Sequence, residues 1–285
     1  MKFTPTLDDI GARLDVTITK HVDAVSRAFV GKLFDQNKVN VNGQEERPSY
    51  KIRENDTIEV DFDFEQAQQI PDIDLPVLYE DDDCIVINKP AGVLTHSKGA
   101  FNPEATVATF IAPKLRDQTG DRGGIVHRLD RATSGVIICA KTPEALSFLQ
   151  KQFSLRKVKK SYQAIVSGTV DPAEAIIDVP IGRNPKDPKS FYPTVHGKTA
   201  TTTYKVIATD GVHTHLALYP YTGRTHQLRV HLQHIKHPIV GDMLYEGEPA
   251  DRMYLHATSL EITLPSSQRK VFESPLPDNF TAMIG

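Results

Sequence analysis

Two cysteines, Cys84 and Cys139, are all that the 285 residues carry. Each lies inside an apolar run, "DCIVINKP" and "GVIICAK", which favours buried free thiols over a disulfide framework or a thiolate metal site. Neither sign of charge is in large surplus: 33 Lys and Arg stand against 36 Asp and Glu, a net charge of −3. That gives no global signature of nucleic-acid binding. No apolar run approaches the ~20 residues that a membrane-spanning helix requires. The start "MKFTPTLDDIGARLD" lacks the basic-then-apolar pattern of a secretory signal, so a cytoplasmic protein without membrane association is expected. Missing too are a glycine loop that cradles phosphate and a nucleophile elbow around Thr133 or Ser134, which leaves an NTPase or a serine hydrolase without support. His231, His234 and His237 recur every three residues, but no His-Glu-x-x-His or Cys-x-x-Cys spacing accompanies them. Pro238 should end their helix at His237, so no metal site is expected.

What is present, 39% apolar and 24% charged residues, describes a globular protein long enough for a large domain and a small one. Ile10, Leu14, Ile18 and Val22 recur every four positions, the stripe of a helix. Ser26 reads as an N-cap for "RAFVGKLFDQN", whose Phe29, Val30, Leu33 and Phe34 share a face. Alternation at Val39 and Val41, an Asn42-Gly43 turn and a strand over Thr57 to Val60 complete a small domain at residues 1–62. The aperiodic "DFEQAQQIPDIDLP" predicts a linker at 63–74. From residue 75 to 285 strands dominate without alternating regularly with helices, which predicts an α+β fold on a mixed sheet.

Two stretches concentrate polar chemistry. "GIVHRLDRATSGVIICAKT" places Asp130 just ahead of a buried strand, where it serves as a loop cap or faces a substrate; Thr133, Ser134 and Gly135 could fold the loop back toward it. "YPYTGRTHQLRVHLQHIKHP" carries Arg224 after a glycine turn, and Arg229 within an apolar segment where a buried guanidinium requires a carboxylate. Asp130 would fill that role, in a pairing that favours the ionised carboxylate; by spacing alone Asp242 or Asp251 serves equally. In "KKSYQAIVSG", Tyr162 is a packing residue or a platform for a base. "RKVKK", Arg156 to Lys160, offers a local positive patch.

Taken together, "INKPAGVLTH", "HRLDRATSG", "KKSYQAIVSG", "YTGRTHQLRVHL", "HPIVGD" and "YLHA", in this order and at these separations, resemble the RluA/RluD type of pseudouridine synthase from about Leu75 onward. The N-terminal stretch is similar to the small α/β RNA-binding domain named after ribosomal protein S-four. The resemblance implies a mainly antiparallel catalytic sheet and a monomeric enzyme that isomerises uridines in structured RNA without cofactor or metal. Large-subunit ribosomal RNA is the expected target; transfer RNA, or a non-catalytic RNA-binding protein on the same fold, are the alternatives. It implies Asp130 as the catalytic carboxylate, Arg229 as its cation and Tyr162 as the stacking face. Leu255 would lie against the base, Arg128 would fill the gap left by the flipped nucleotide, and His127, Thr133 and Arg224 would contact substrate. Two positions depart from the family: Lys236 stands where glycine usually precedes the "HPIVGD" histidine, and Asn37-Lys38 stand where glycine is common.

Overall fold

The computed structural model describes residues 1–283 apart from 23, 24, 26, 64–69, 98–103 and 118–121. Two compact units form, residues 1–73 with 96–105 and residues 74–95 with 106–285. The expected cap Ser26 and half of the expected linker, 64–69, lie outside the described residues.

In the first unit β1 (Lys2–Phe3), β2 (Val39–Val41), β3 (Gln44–Glu45) and β4 (Ile58–Val60) make a sheet ordered β1-β4-β2-β3. Against it lie α1 (Leu14–His21) and α2 (Arg27–Asp35), whose Leu14, Ile18, Val30 and Leu33 share a core with Val39, Val41, Ile58 and Val60. Ile10 is not part of the stripe: Gly11 at φ 78 breaks the chain before the helix, and Ile10 stays 44% exposed. Asn42 and Gly43, at φ 54 and 78, form the two-residue turn between β2 and β3, as mirror-image hairpin turns require.

The second unit is built on a nine-stranded sheet. Its strands are β5 (Val77–Glu80), β6 (Cys84–Lys89), β7 (Ser134–Ala140), β8 (Lys159–Ser167), β9 (Glu174–Asp178), β12 (Thr201–Thr209), β13 (His213–Pro220), β14 (Leu255–Thr263) and β15 (Arg269–Glu273). A separate hairpin pairs β10 (Ile181–Arg183) with β11 (Phe191–Pro193). All seven residues of β7 are buried, as a central strand covered on both faces demands. Ala145 and Leu149 of a helix, Pro143–Ser154, share a core with Val136 and Ile138. Leu228 and Leu232 of the helix Gln227–His234 share another with Ala164, Val166, Leu216 and Leu218. The two cysteines are buried free thiols on β6 and β7.

The fold is α+β with a mixed, mainly antiparallel sheet. Its β7–β14 pair is parallel, matching Ser134 with His256 and Gly135 with Ala257. The approach is so close that a Cβ on Gly135, already at φ 111, would fall 2.1 Å from the Ala257 carbonyl oxygen. Only glycine fits there.

The helix bearing Arg229 ends at His234 rather than His237. The Lys236 N–H donates to Gln233 O and the His237 N–H to Leu232 O, with Lys236 at φ 70. These are the bonds of a left-handed helix stop. Asn37 at φ 55 closes α2 the same way, through Phe34 O and Leu33 O. Both departures from the family's glycine thus keep the left-handed backbone, at a cost of about 1 kcal/mol each.

Candidate active site

The loop carrying Asp130 is braced from beneath by the turn that follows β6. Lys89 is fully buried, and its Nζ donates to the carbonyls of Pro90 (2.8 Å), Val93 (2.8 Å) and Arg131 (3.2 Å). Those bonds use all three ammonium donors. Burial, against the pull of Asp130 and with the repulsion of Arg252 and Arg131, pushes the Lys89 pKa down to about 7. The Thr95 hydroxyl donates to Leu129 O and accepts from Leu129 N–H, at 2.8 and 3.2 Å. The Thr133 N–H closes the turn on Asp130 O at 3.1 Å.

The carboxylate itself is no loop cap. Among the described residues the Asp130 side chain accepts no backbone hydrogen bond; its recorded partners are Arg229 Nη1 at 3.5 Å and His226 Nε2 at 3.8 Å. Ser134 does not fold back toward it, since the Ser134 hydroxyl instead meets His256 Nδ1 and Arg252 Nη2.

Arg229 answers to two of its three candidate partners, unequally. Nε and Nη2 grip Asp242 at 2.6 and 2.7 Å, leaving Nη1 for Asp130. Asp251 is engaged elsewhere, with Tyr254 and Asn279. Burial works against the Arg229 charge, but the Asp242 hydrogen bonds and charge outweigh it and raise the guanidinium above its ordinary pKa. Tyr245 lies under the guanidinium with its ring centre 4.8 Å away.

The same Tyr245 orients His226. Its hydroxyl accepts from the Phe191 N–H at 2.9 Å and lies 2.7 Å from His226 Nδ1. Burial pushes the phenol up to about 12, so it keeps a proton to donate to Nδ1. Burial, opposed by Asp130 and aided by Arg229, holds His226 below its ordinary pKa. A neutral ring that accepts at Nδ1 carries its proton on Nε2, the nitrogen facing Asp130.

Above Asp130 lies a cavity of 120 Å³ walled by Arg128, Thr133, Lys160, Tyr162, Arg224, Arg229 and Leu255, among others. Burial, then the charge of Asp130, pushes the Tyr162 phenol well above its ordinary value, so it stays protonated. The Thr133 hydroxyl is buried and, among the described residues, makes no hydrogen bond. Arg224 is partly committed, donating from Nε to Thr199 O at 3.0 Å.

Of the eight residues expected at the site, His127 is not brought to this cavity. Its ring stacks on Phe153 at 4.5 Å and Nε2 accepts from the Ile138 N–H at 3.1 Å, while burial pushes its pKa down to about 3. A neutral acceptor is what that amide needs. The histidines at three-residue spacing diverge: His231 is buried between Thr202 and Val179 O, and His237 meets Ser167 O. Among the described residues no His, Cys, Asp and Glu group is arranged to hold a metal.

Sequence reasoning gave no role to His226, Tyr245 or Lys89, and placed Lys160 only within a local positive patch. The signal for Asp242 was present in "HPIVGD", and that for Lys89 in "INKPAG"; nothing along the chain announced Tyr245.

Comparison with known proteins adds to this geometry. The family model described as RNA pseudouridylate synthase matches residues 83–234. Ribosomal large subunit pseudouridine synthase D of Salmonella typhimurium strain LT2 is 35% identical over 306 residues, covering 99% of this chain and 92% of that protein. The protein of the same name from Escherichia coli K12 is 34% identical over the same shares. Among solved structures, human RNA pseudouridylate synthase domain containing 1 superposes with a TM-score of 0.59 at 28% identity, covering 74% of this chain and 86% of that one.

Proposed function

The chain belongs to the RNA pseudouridylate synthases, isomerases that act on RNA, and from that premise we propose that its target is uridine in large-subunit ribosomal RNA, with Asp130 as the reacting carboxylate. The names of the relatives at 35% and 34% identity support that target. The transfer-RNA and non-catalytic alternatives gain no support.

One observation carries the assignment of Asp130. A carboxylate walling a cavity has its acceptor positions unspent, with a cation at 3.5 Å. The arginine that faces it makes its two shortest bonds to Asp242 instead. Asp130 is thereby charge-compensated without being consumed, the condition for a nucleophile or a base.

In the reaction the bond from uracil N1 to the sugar breaks, the base turns within the cavity, and its C5 bonds to the same sugar carbon. The C5 proton is released and N1 gains one, so nothing else is consumed. Asp130 either attacks the anomeric carbon or takes a proton from the neighbouring sugar carbon. Tyr162 and Leu255 hold the detached base, and the unpartnered Thr133 hydroxyl is free to bond it. Flipping costs a few kcal/mol, offset in part by Arg128 occupying the vacated stack.

Residues 1–62 serve as an S-four-type RNA-binding domain joined through 63–74, two helices on a small sheet that help select a structured RNA. The enzyme works as a cytoplasmic monomer without metal or cofactor. Mapping pseudouridines in ribosomal RNA from cells with and without the protein tests the target: at least one large-subunit site disappears on deletion, and an unchanged map with a lost transfer-RNA site overturns it.

A further inference from the structure

Three members of "RKVKK", Arg156, Val158 and Lys160, line a groove beside the Asp130 cavity. Building on the proposed function, we propose that this groove is a subsite for the nucleotide joined to the flipped uridine, with its phosphate on Lys160 and its base against the Arg156–Tyr221 pair.

The groove has a volume of 390 Å³ and shares Arg128, Lys160, Tyr162 and Arg224 with the Asp130 cavity, so the two are continuous. Among the described residues its wall contains no carboxylate. Lys160 Nζ makes one hydrogen bond, to Thr222 O at 3.1 Å, and no carboxylate lies within ion-pair distance of it among the described residues. Burial pushes its pKa down to about 8. An ammonium with donors unspent and no counter-charge is completed by an anion. Its strand neighbour Lys159, on the opposite face, is already paired with Glu261 at 3.2 Å.

Arg156 supplies the second half. It closes the helix Pro143–Ser154 at φ 56, with its N–H on Phe153 O and the Lys157 N–H on Gln152 O. This is the left-handed stop where glycine is usual. Here the residue is an arginine whose guanidinium lies 4.9 Å over the ring of Tyr221, a side chain left 60% exposed. A guanidinium plane on a tyrosine is a ledge on which an unpaired base stacks. Cations without counter-charge beside an aromatic ledge, opening into a cavity for an extruded uracil, match one polymer: single-stranded RNA threading out of the site.

The test measures affinity for a hairpin RNA with an all-uridine loop, and for the same hairpin with alternate loop bases removed. Tyr221→Ala should weaken binding of the intact loop by about fivefold to a hundredfold. Arg156→Gly, which suits the left-handed backbone and leaves folding intact, should weaken it in the same direction. Removing alternate bases should cost the unaltered protein a similar factor and the Tyr221→Ala variant little more. Lys160→Gln should flatten the dependence of log affinity on log salt by about 0.7. The subsite is overturned if both ledge variants bind the intact loop as tightly as the unaltered protein, or if base removal costs them as much. Tritium release from uracil C5 by the unaltered protein is read alongside; its absence counts against the proposed function, while binding judges the subsite.

Discussion

At Arg229 two carboxylates compete for one guanidinium, and distance decides between them. Asp242 holds Nε and Nη2 below 2.8 Å, whereas Asp130 is reached at 3.5 Å. Asp242 is 2% exposed. Removing it leaves a buried cation with one distant partner, so Asp242→Ala should lower unfolding free energy by about 3–5 kcal/mol in urea titrations. Activity should fall as well, because the freed guanidinium can close on Asp130 and occupy the lone pairs meant for substrate. Asp251→Ala, at the third candidate partner, should leave the urea midpoint in place; the reverse order would show that Asp242 does not anchor Arg229. The sequence made the arginine's need for a carboxylate legible, since "LRVHL" buries it. Which acid answers depends on where two loops meet in space, and spacing along the chain carries no such information. His226 was illegible for a related reason: its left-handed backbone at φ 57, which aims the ring at Asp130, has no glycine or asparagine to announce it.

Elements show the same division. Alternating or wholly apolar stretches such as "GVIICAK" and "THLALYP" were readable as strands because the pattern is the burial. The β10–β11 hairpin was not, having three residues a strand and the polar loop "NPKDPKS" between them. Helix ends were misjudged where Lys236 does the work of glycine, since only hydrogen bonding reveals a left-handed stop. Gly135 is the opposite case, a glycine that cannot be replaced. The β7–β14 contact it permits sets the exit of the Asp130 loop. Gly135→Ala should cost at least about 2 kcal/mol through strain at positive φ and overpacking. Thermal unfolding checks this; an unchanged midpoint would mean that the two strands can separate freely.

For the whole molecule, net charge misleads. The chain carries −3, yet among the described residues the cavity wall sets Arg128, Lys160, Arg224 and Arg229 against one carboxylate, Asp130. A local positive surface attracts a polyanion whatever the total charge. The Lys89 clamp, the Arg229–Asp242 pair and the Tyr245–His226 relay all converge on that one acid. Asp130→Asn changes its charge with almost no change of shape, so release of tritium from C5-labelled uridine in large-subunit ribosomal RNA tests the account most directly. The expected result is loss of release by at least about a thousandfold, the scale of removing a reacting group, with RNA affinity retained. Release at the unaltered rate from the asparagine variant would contradict it.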